Sequence, residues 1–347
     1  MQIQPEDLPF ELDIRGHGYT MRGWSITRSS LAEAINQNRL LNITFEGMSN
    51  YCPHNCDFCY TERGVSQPDR KLRMKSELSI GKRLSIINQA ADLGGITINF
   101  IGAGEPTLDT YFWRLIEEVV KRGMIPVVFT EASFRLTRAC FTKRLYDLGA
   151  SLVIKVNSLF NQDYQNLVVT GGRSKETRYF HQRNQAIDLC LDIGFANEDP
   201  TRLGIDVIVT TDNLQEIPRI HRYARDRNIF TVMKNYLMTG RVQDKREDQL
   251  SNDSLDELWR ELLRIDVEEY GMDRKAHHYP FGGYSPCILR STGVHVSIKG
   301  EVFRCDGEEM VVGNLKKESL QDVWARVRNN ELNVMGCCPP REHCVCC

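Results

Sequence analysis

One short stretch constrains this chain more than any other: Cys52-Pro53-His54-Asn55-Cys56-Asp57-Phe58-Cys59. It follows a short apolar run at 40–45 that reads as a strand. Cys52, Cys56 and Cys59 stand in C-x3-C-x2-C spacing, and three thiolates so close together can hold a metal group without completing its coordination. A 4Fe-4S cube takes Cys thiolates on its iron corners. With three of four corners held, one iron stays open to a substrate or cofactor, the distinction that separates catalytic from structural zinc sites. The triad alone also admits a chance grouping or half of a zinc site.

The other cysteines point the same way. There are 12 in 347 residues, and in a reducing compartment such numbers mark metal ligands rather than disulfides. Only Cys140 and Cys190 lie mid-chain, while Cys287, Cys305, Cys337, Cys338, Cys344, Cys346 and Cys347 crowd the C-terminal part, so two metal-binding regions are expected. The first residues have neither a basic start nor an apolar stretch, and no apolar run is long enough for a membrane span. A cytoplasmic protein with no membrane partner is the expectation. Lys+Arg 44 against Asp+Glu 46 gives a net charge of -2, which argues against general nucleic-acid binding.

From residue 40 onward, short apolar runs alternate with longer amphipathic ones. Strands are expected at 41–45, 96–101, 126–130, 152–156, 204–209 and 229–233, with helices at 78–93, 111–121, 136–148, 178–193 and 217–227 between and beyond them. Repeated strand-helix units imply parallel strands joined by right-handed crossovers. The expected fold class is α/β: a partial (β/α)6 TIM barrel with a small C-terminal cysteine-rich α+β extension. Residues 1–39 read as an N-terminal extension wrapped on the body, 40–240 as the partial barrel, 241–283 as a linker with one helix, and 284–347 as a separate cysteine-rich domain. Sites in parallel barrels form at the C-terminal strand ends, where the first cysteine loop falls.

The second expected strand ends in Gly102-Ala103-Gly104-Glu105-Pro106-Thr107. Glycines let a ligand approach the backbone, and a proline opens a helix without needing its own N–H. By itself this is a generic strand-to-helix turn. Taken with the cysteine spacing and the aromatic Phe58 before Cys59, it resembles the radical S-adenosylmethionine (radical SAM) superfamily, whose Gly-Gly-Glu-Pro motif binds the methionine amino group. Ala103 departs from the glycine pair. The resemblance spans about residues 40–240.

That resemblance implies a 4Fe-4S cluster with one open iron on Cys52, Cys56 and Cys59, and S-adenosylmethionine held by Gly102, Gly104, Glu105 and Pro106. It implies that Lys155, Asn157 and Ser158 meet the ribose hydroxyls and the methionine carboxylate, with an ordinary polar loop as the other reading. Phe58, Val209, Leu237 and Met238 stand where the family packs adenine, with core packing as the alternative. Cys140 and Cys190 fall on helix faces, where a free cysteine usually packs as a small hydrophobe. Either could instead return a hydrogen atom to a substrate radical.

In the tail, Cys287 and Cys305 flank an expected hairpin, 294–298 and 301–304, turning at Lys299-Gly300. The C-x12-G-x4-C spacing resembles the SPASM and twitch auxiliary-cluster extensions of one branch of the superfamily. The adjacent Cys337-Cys338 pair and the compressed Cys344-Val345-Cys346-Cys347 depart from that pattern. Seven cysteines are one fewer than two four-cysteine clusters take, so one or two auxiliary iron-sulfur clusters are expected, or a zinc knuckle on the same ligand type.

The expected activity is reductive cleavage of S-adenosylmethionine to a 5'-deoxyadenosyl radical, followed by hydrogen abstraction. A short N-terminal extension, without room for a peptide-recognition domain, favours a small polar molecule such as a sugar, aminosugar or alcohol, which would be oxidised or epimerised. The alternatives are a ribosomal-peptide maturase acting on a precursor peptide, by crosslinking or epimerisation, and a non-catalytic metal-stabilised binding protein. A flavodoxin- or ferredoxin-type protein is the expected electron donor.

Overall fold

The computed structural model describes residues 2–7, 14–46, 48, 51–59, 76–102, 104–235, 240–242, 250–275, 292–304 and 310–329. Its centre is a run of short apolar strands, buried almost throughout: β1 (Asn42–Phe45), β2 (Thr97–Phe100), β3 (Ile125–Thr130), β4 (Ser151–Lys155), β5 (Leu203–Ile208) and β6 (Phe230–Lys234). Such near-continuous burial belongs to parallel strands covered on both faces. The strands lie in the order β6-β5-β4-β3-β2-β1 with every neighbouring pair parallel. Among the described residues the sheet does not close, as expected of a partial barrel.

Helices α1 (Arg28–Asn36), α2 (Ile80–Asp92), α3 (Phe112–Lys121) and α4 (Ala139–Asp147) lie N-terminal to β4 in the chain. After β4 come α5 (Gln162–Thr170), α6 (Tyr179–Ile193), α7 (Ile217–Asp226) and α8 (Asn252–Arg264). Local chemistry sets their starts: Ser79, Asn161 and Ser251 accept hydrogen bonds from the first turns of α2, α5 and α8. The α5 helix was not evident from periodicity. It ends in Val168-Val169-Thr170, β-branched residues that favour helix weakly, and it rests on the Asn161 cap and the burial of Val168 and Val169.

A further strand, β7 (Gly293–Val296), adds in parallel to the free edge of β1, from Asn42↔Gly293 to Phe45↔Val296. It turns at Gly300 into the antiparallel β8 (Glu301–Phe303), which pairs with β9 (Gly313–Asn314). The expected hairpin is therefore present, and it is hydrogen-bonded into the barrel sheet. An unpaired β1 edge would leave buried peptide groups unsatisfied, and β7 supplies their partners. From there α9 (Leu320–Asn329) returns to α2 and the N-terminal segment: Leu320 N–H donates to Gln89 Oε1 and Trp324 Nε1 to Asn38 O, both 2.8 Å.

The N-terminal segment closes the opposite end of the barrel. Met21 bridges to Thr201, just before β5, and Met21 and Trp24 pack on the inward side chains Val127, Phe129, Val153, Phe230 and Val232. That apolar plug leaves the C-terminal strand ends as the open mouth. Among the described residues no helix is long and apolar enough to cross a membrane.

One buried ion network ties α7 to the turn after α8. Asp266 accepts from His221 Nε2 at 2.7 Å, Arg225 Nε at 2.8 Å and Nη2 at 3.1 Å, and Arg274 Nη1 at 2.6 Å. Burial would raise the Asp266 carboxyl, but the His221 hydrogen bond and the Arg225 charge hold it far below the usual range. Burial, then the charge of Arg225, pushes His221 down to about 4 from its ordinary 6.5. Removing one member leaves the others buried and uncompensated, so Asp266→Asn is expected to cost about 3–5 kcal/mol in urea unfolding. The unfolded chain protonates its histidine first. Stability is therefore expected to fall as pH drops from about 6.5 to about 4, with a shallower fall in His221→Gln.

Candidate functional site

A cleft opens at the C-terminal ends of β1–β6. Cys52, Cys56 and Cys59 all line it. Their loop has no regular structure of its own, so its backbone is held from outside. Glu105 N–H donates to Tyr51 O at 2.8 Å, which fixes the loop to the end of β2. Asn55 N–H and Asp57 N–H donate to the carbonyls of Val169 and Val168, at 2.9 and 3.3 Å, in the last turn of α5. That contact needs Gly171: its φ is 64°, and a Cβ there would lie 2.6 Å from Asn55 Nδ2 and 2.7 Å from Asn55 O.

Arg241 completes the clamp. It lies in a short helical turn after β6, and its Nη1 donates to Asn55 O and Cys56 O, both at 2.8 Å, while Nη2 bonds Asn55 Oδ1. Its backbone N–H also reaches Cys59 O at 3.1 Å. The planar guanidinium fork suits several acceptors at once. Inside the loop, His54 Nε2 lies 2.8 Å from Glu131 Oε2, and its ring stands edge-on to Tyr179 at 4.7 Å.

Glu105, at the end of β2, is almost fully buried beside Glu131 at the end of β3. Its Oε1 accepts from Thr107 N–H at 3.1 Å and from the hydroxyls of Thr107 and Thr130 at 2.6 and 2.7 Å; Oε2 accepts from Glu131 N–H at 2.9 Å. Burial first, then the Glu131 charge, pushes the Glu105 carboxyl up to about 7, against the pull of these hydrogen bonds. Gly102 before it is packed tightly: a Cβ there would sit 1.9 Å from Gly104 O. Ala103 lies outside the described residues.

The far wall carries charge on inward-facing positions of β4, β5 and β6. Lys155 Nζ is 3.0 Å from Asp206 Oδ2, and Lys234 Nζ is 3.4 Å from Asp206 Oδ1. Burial lowers the Lys155 pKa, and Asp206 is held low, against its burial, by Lys155 and then Lys234. Lys155 Nζ also sits over the Phe58 ring, 5.1 Å from its centroid.

The structure thus brings together Cys52, Cys56, Cys59, Phe58, Gly102, Gly104, Glu105, Pro106 and Lys155. Other expected positions fall elsewhere. Val209 is fully buried in the helix-facing core, because side chains alternate across a strand; its neighbour Ile208 lines the cleft instead. Asn157 and Ser158 are buried and do not line it. The Ser158 hydroxyl donates to Glu216 and both backbone N–H groups bond Gln165 Oε1. The Asn157 amide is buried with neither polar atom hydrogen-bonded among the described residues. Cys140 is exposed on α4 and Cys190 lies in the core under α6 with its thiol pushed up by burial, so neither reaches the cleft from these outer helices. Leu237, Met238, Cys287, Cys305, Cys337, Cys338, Cys344, Cys346 and Cys347 lie outside the described residues. Sequence reasoning passed over Glu131, Asp206, Lys234 and Arg241. Charged residues at the ends of apolar strands were the available signal for the first three.

The donor set fits a cluster held at three corners. Among the described residues no three His, Cys, Asp or Glu side chains gather around a single ion position. A cube presents a separate iron to each thiolate, so its ligands need not converge on one point. Beside the thiols, Glu105 offers a carboxylate and Lys155 an ammonium, complementary to the two ends of an amino acid.

Comparison with known proteins agrees. The family model for the radical SAM superfamily matches residues 48–248, and that for the SPASM iron-sulfur cluster-binding domain matches 287–347. The chain is 23% identical over 305 residues to the tungsten-containing aldehyde ferredoxin oxidoreductase cofactor-modifying protein of Pyrococcus furiosus, covering 81% of this chain and 80% of that one. Its fold is similar to that of anSMEcpe with bound AdoMet, at TM-score 0.59 and 16% identity over 84% of this chain and 82% of that one. It is also similar to Streptococcus suis SuiB bound to its precursor peptide SuiA, at TM-score 0.60 and 16% identity over 85% and 67%.

If Arg241 seats the cysteine loop, Arg241→Gln is expected to lower iron and sulfide retained on anaerobic reconstitution by about twofold or more, with Arg241→Lys intermediate because it keeps charge without the fork.

Proposed function

The chain belongs to the radical SAM superfamily and carries its SPASM domain, and from that premise we propose that this radical SAM enzyme oxidises or epimerises a polar small molecule. A 4Fe-4S cluster, S-adenosylmethionine and auxiliary iron-sulfur clusters come with that membership. The observation that carries the finer reading is the cleft itself: the three thiols and Glu105 share it with the charged wall of Lys155, Asp206 and Lys234.

When bound, the cluster and S-adenosylmethionine supply one-electron cleavage to a 5'-deoxyadenosyl radical. The protein's own residues bind and orient. Cys52, Cys56 and Cys59 hold the cluster, and Arg241 with α5 fixes their loop. Glu105 accepts from the methionine amino group, to which Gly102, Gly104 and Pro106 allow close backbone approach. Lys155 pairs with the methionine carboxylate, and Phe58 packs against the adenine. The apolar side chains Phe129, Val153 and Ile208 in the cleft exclude water and competing hydrogen donors. Cys287, Cys305, Cys337, Cys338, Cys344, Cys346 and Cys347 would supply the ligands of one or two auxiliary clusters, which would accept the electron in the oxidation case. A flavodoxin- or ferredoxin-type protein reduces the enzyme.

A second reading, maturation of a precursor peptide, is supported by SuiB, a structure of similar fold bound to a precursor peptide. Anaerobically reconstituted protein with a strong reductant and S-adenosylmethionine is expected to release 5'-deoxyadenosine. Cys56→Ala is expected to abolish release while leaving the far-ultraviolet circular dichroism intact. Zinc without labile sulfide, or no 5'-deoxyadenosine from the wild type, would overturn the enzyme reading. Release that depends on a precursor peptide would replace the small-molecule substrate with the second.

A further inference from the structure

The proposed function gives a task to Lys155 but leaves Lys234 unexplained. Lys234 ends β6, at the opposite edge of the parallel array from β1, and its ion-pair partner is Asp206 at the end of β5. Asp206 serves two ammonium groups. Lys155 holds Oδ2 with a hydrogen bond at 3.0 Å, whereas Lys234 stands at the longer distance of 3.4 Å from Oδ1. The looser pair with Asp206 engages at most one of the three N–H donors of Lys234.

The charges of this trio do not balance. Two ammonium groups, 22% and 19% exposed, share one carboxylate that is 8% exposed. The cleft around them includes the apolar Phe129, Val153 and Ile208, and its other carboxylates, Glu105 and Glu131, stand at the ends of β2 and β3. Partly buried cations are unfavourable unless anions complete them; the methionine carboxylate would pair with Lys155, which leaves Lys234 facing the cleft with donors to spare. Lys155 faces the Phe58 ring on the cysteine loop, and Lys234 ends the strand on the other side of β5, with Asp206 between the two lysines. A lysine is a compact point charge on a flexible stem, suited to carboxylate and phosphate oxygens alike.

We propose that Lys234, steadied by Asp206, is the recognition point for an anionic oxygen group, carboxylate or phosphate, on the substrate. This rests on the cleft being the catalytic site, as proposed above, and narrows the polar substrate to an anionic one. Asp206 has the complementary task of keeping Lys234 charged and aimed inward when no substrate is present.

The test uses the full-length holoenzyme, reconstituted and saturated with S-adenosylmethionine, with inorganic phosphate and acetate as probes in titration calorimetry. Saturable binding of at least one probe is expected, and the preferred one tells phosphate from carboxylate. Lys234→Met is expected to weaken that binding about tenfold or more, and Lys234→Arg to restore it to within about threefold of the wild type. The affinity for S-adenosylmethionine should fall by much less. Equal probe binding by wild type and Lys234→Met overturns the proposal, as does the absence of saturable binding of either probe to the wild type. So does an equal loss of S-adenosylmethionine affinity, which would place Lys234 in the cofactor subsite. Failure of the enzyme reading shows separately, as no 5'-deoxyadenosine from the wild type.

Discussion

A loop without ladder or helix can bring three thiols to one place only if its backbone polar groups find partners outside it. Here those partners come from three directions: Glu105 at the end of β2, the last turn of α5, and the Arg241 fork after β6. Each element is itself set by the parallel sheet, so the position of Cys56 depends on strands far from it in sequence. The Val168 carbonyl also accepts from the Gly171 N–H that caps α5, whereas the Val169 carbonyl would otherwise need water. The loop and the helix therefore satisfy each other, and Gly171 is the residue that lets them touch.

The same sheet sorts charge by depth. Apolar inward residues and the Met21–Trp24 plug fill the N-terminal end, while Glu105, Glu131, Lys155, Asp206 and Lys234 gather at the C-terminal end. Acidic groups stand on β2 and β3, and the two lysines on β4 and β6. The cleft is thus polarised across its width, with Glu105 pushed toward neutrality by burial and Glu131, and Asp206 held ionised by its lysines. A ligand with a positive and a negative end meets a wall of opposite sign at each. The ion network on Asp266 lies outside this cleft and serves packing, joining α7 to the turn after α8.

The edge strand β1 joins two regions that composition separates. On one side it pairs with β2 in the barrel, on the other with β7 of the hairpin. The hairpin was legible from alternating residues around Lys299-Gly300, but its docking was not, because a strand's own residues do not encode which edge it meets. Through β7 the C-terminal part of the chain is anchored to the strand that leads into the first cysteine loop, and through α9 to α2.

The sequence by itself determined the local features. Cysteine spacing marked the loop, and strand and helix periods marked six strands and the five helices between them. The Gly102–Thr107 run marked the turn beside the loop. These are readable because each depends on neighbours within a few residues. Only the tertiary structure decided which side chains share the cleft. It turned Val209 to the core and Ile208 to the ligand side, put Cys140 on the surface, and used Ser158 as a bond to Glu216. It also assembled Lys155, Asp206 and Lys234 from three strands and brought Arg241 against Cys56 across 185 residues. Inward direction is a property of register and twist, and long-range pairing a property of the whole sheet; neither is contained in a local run of residues.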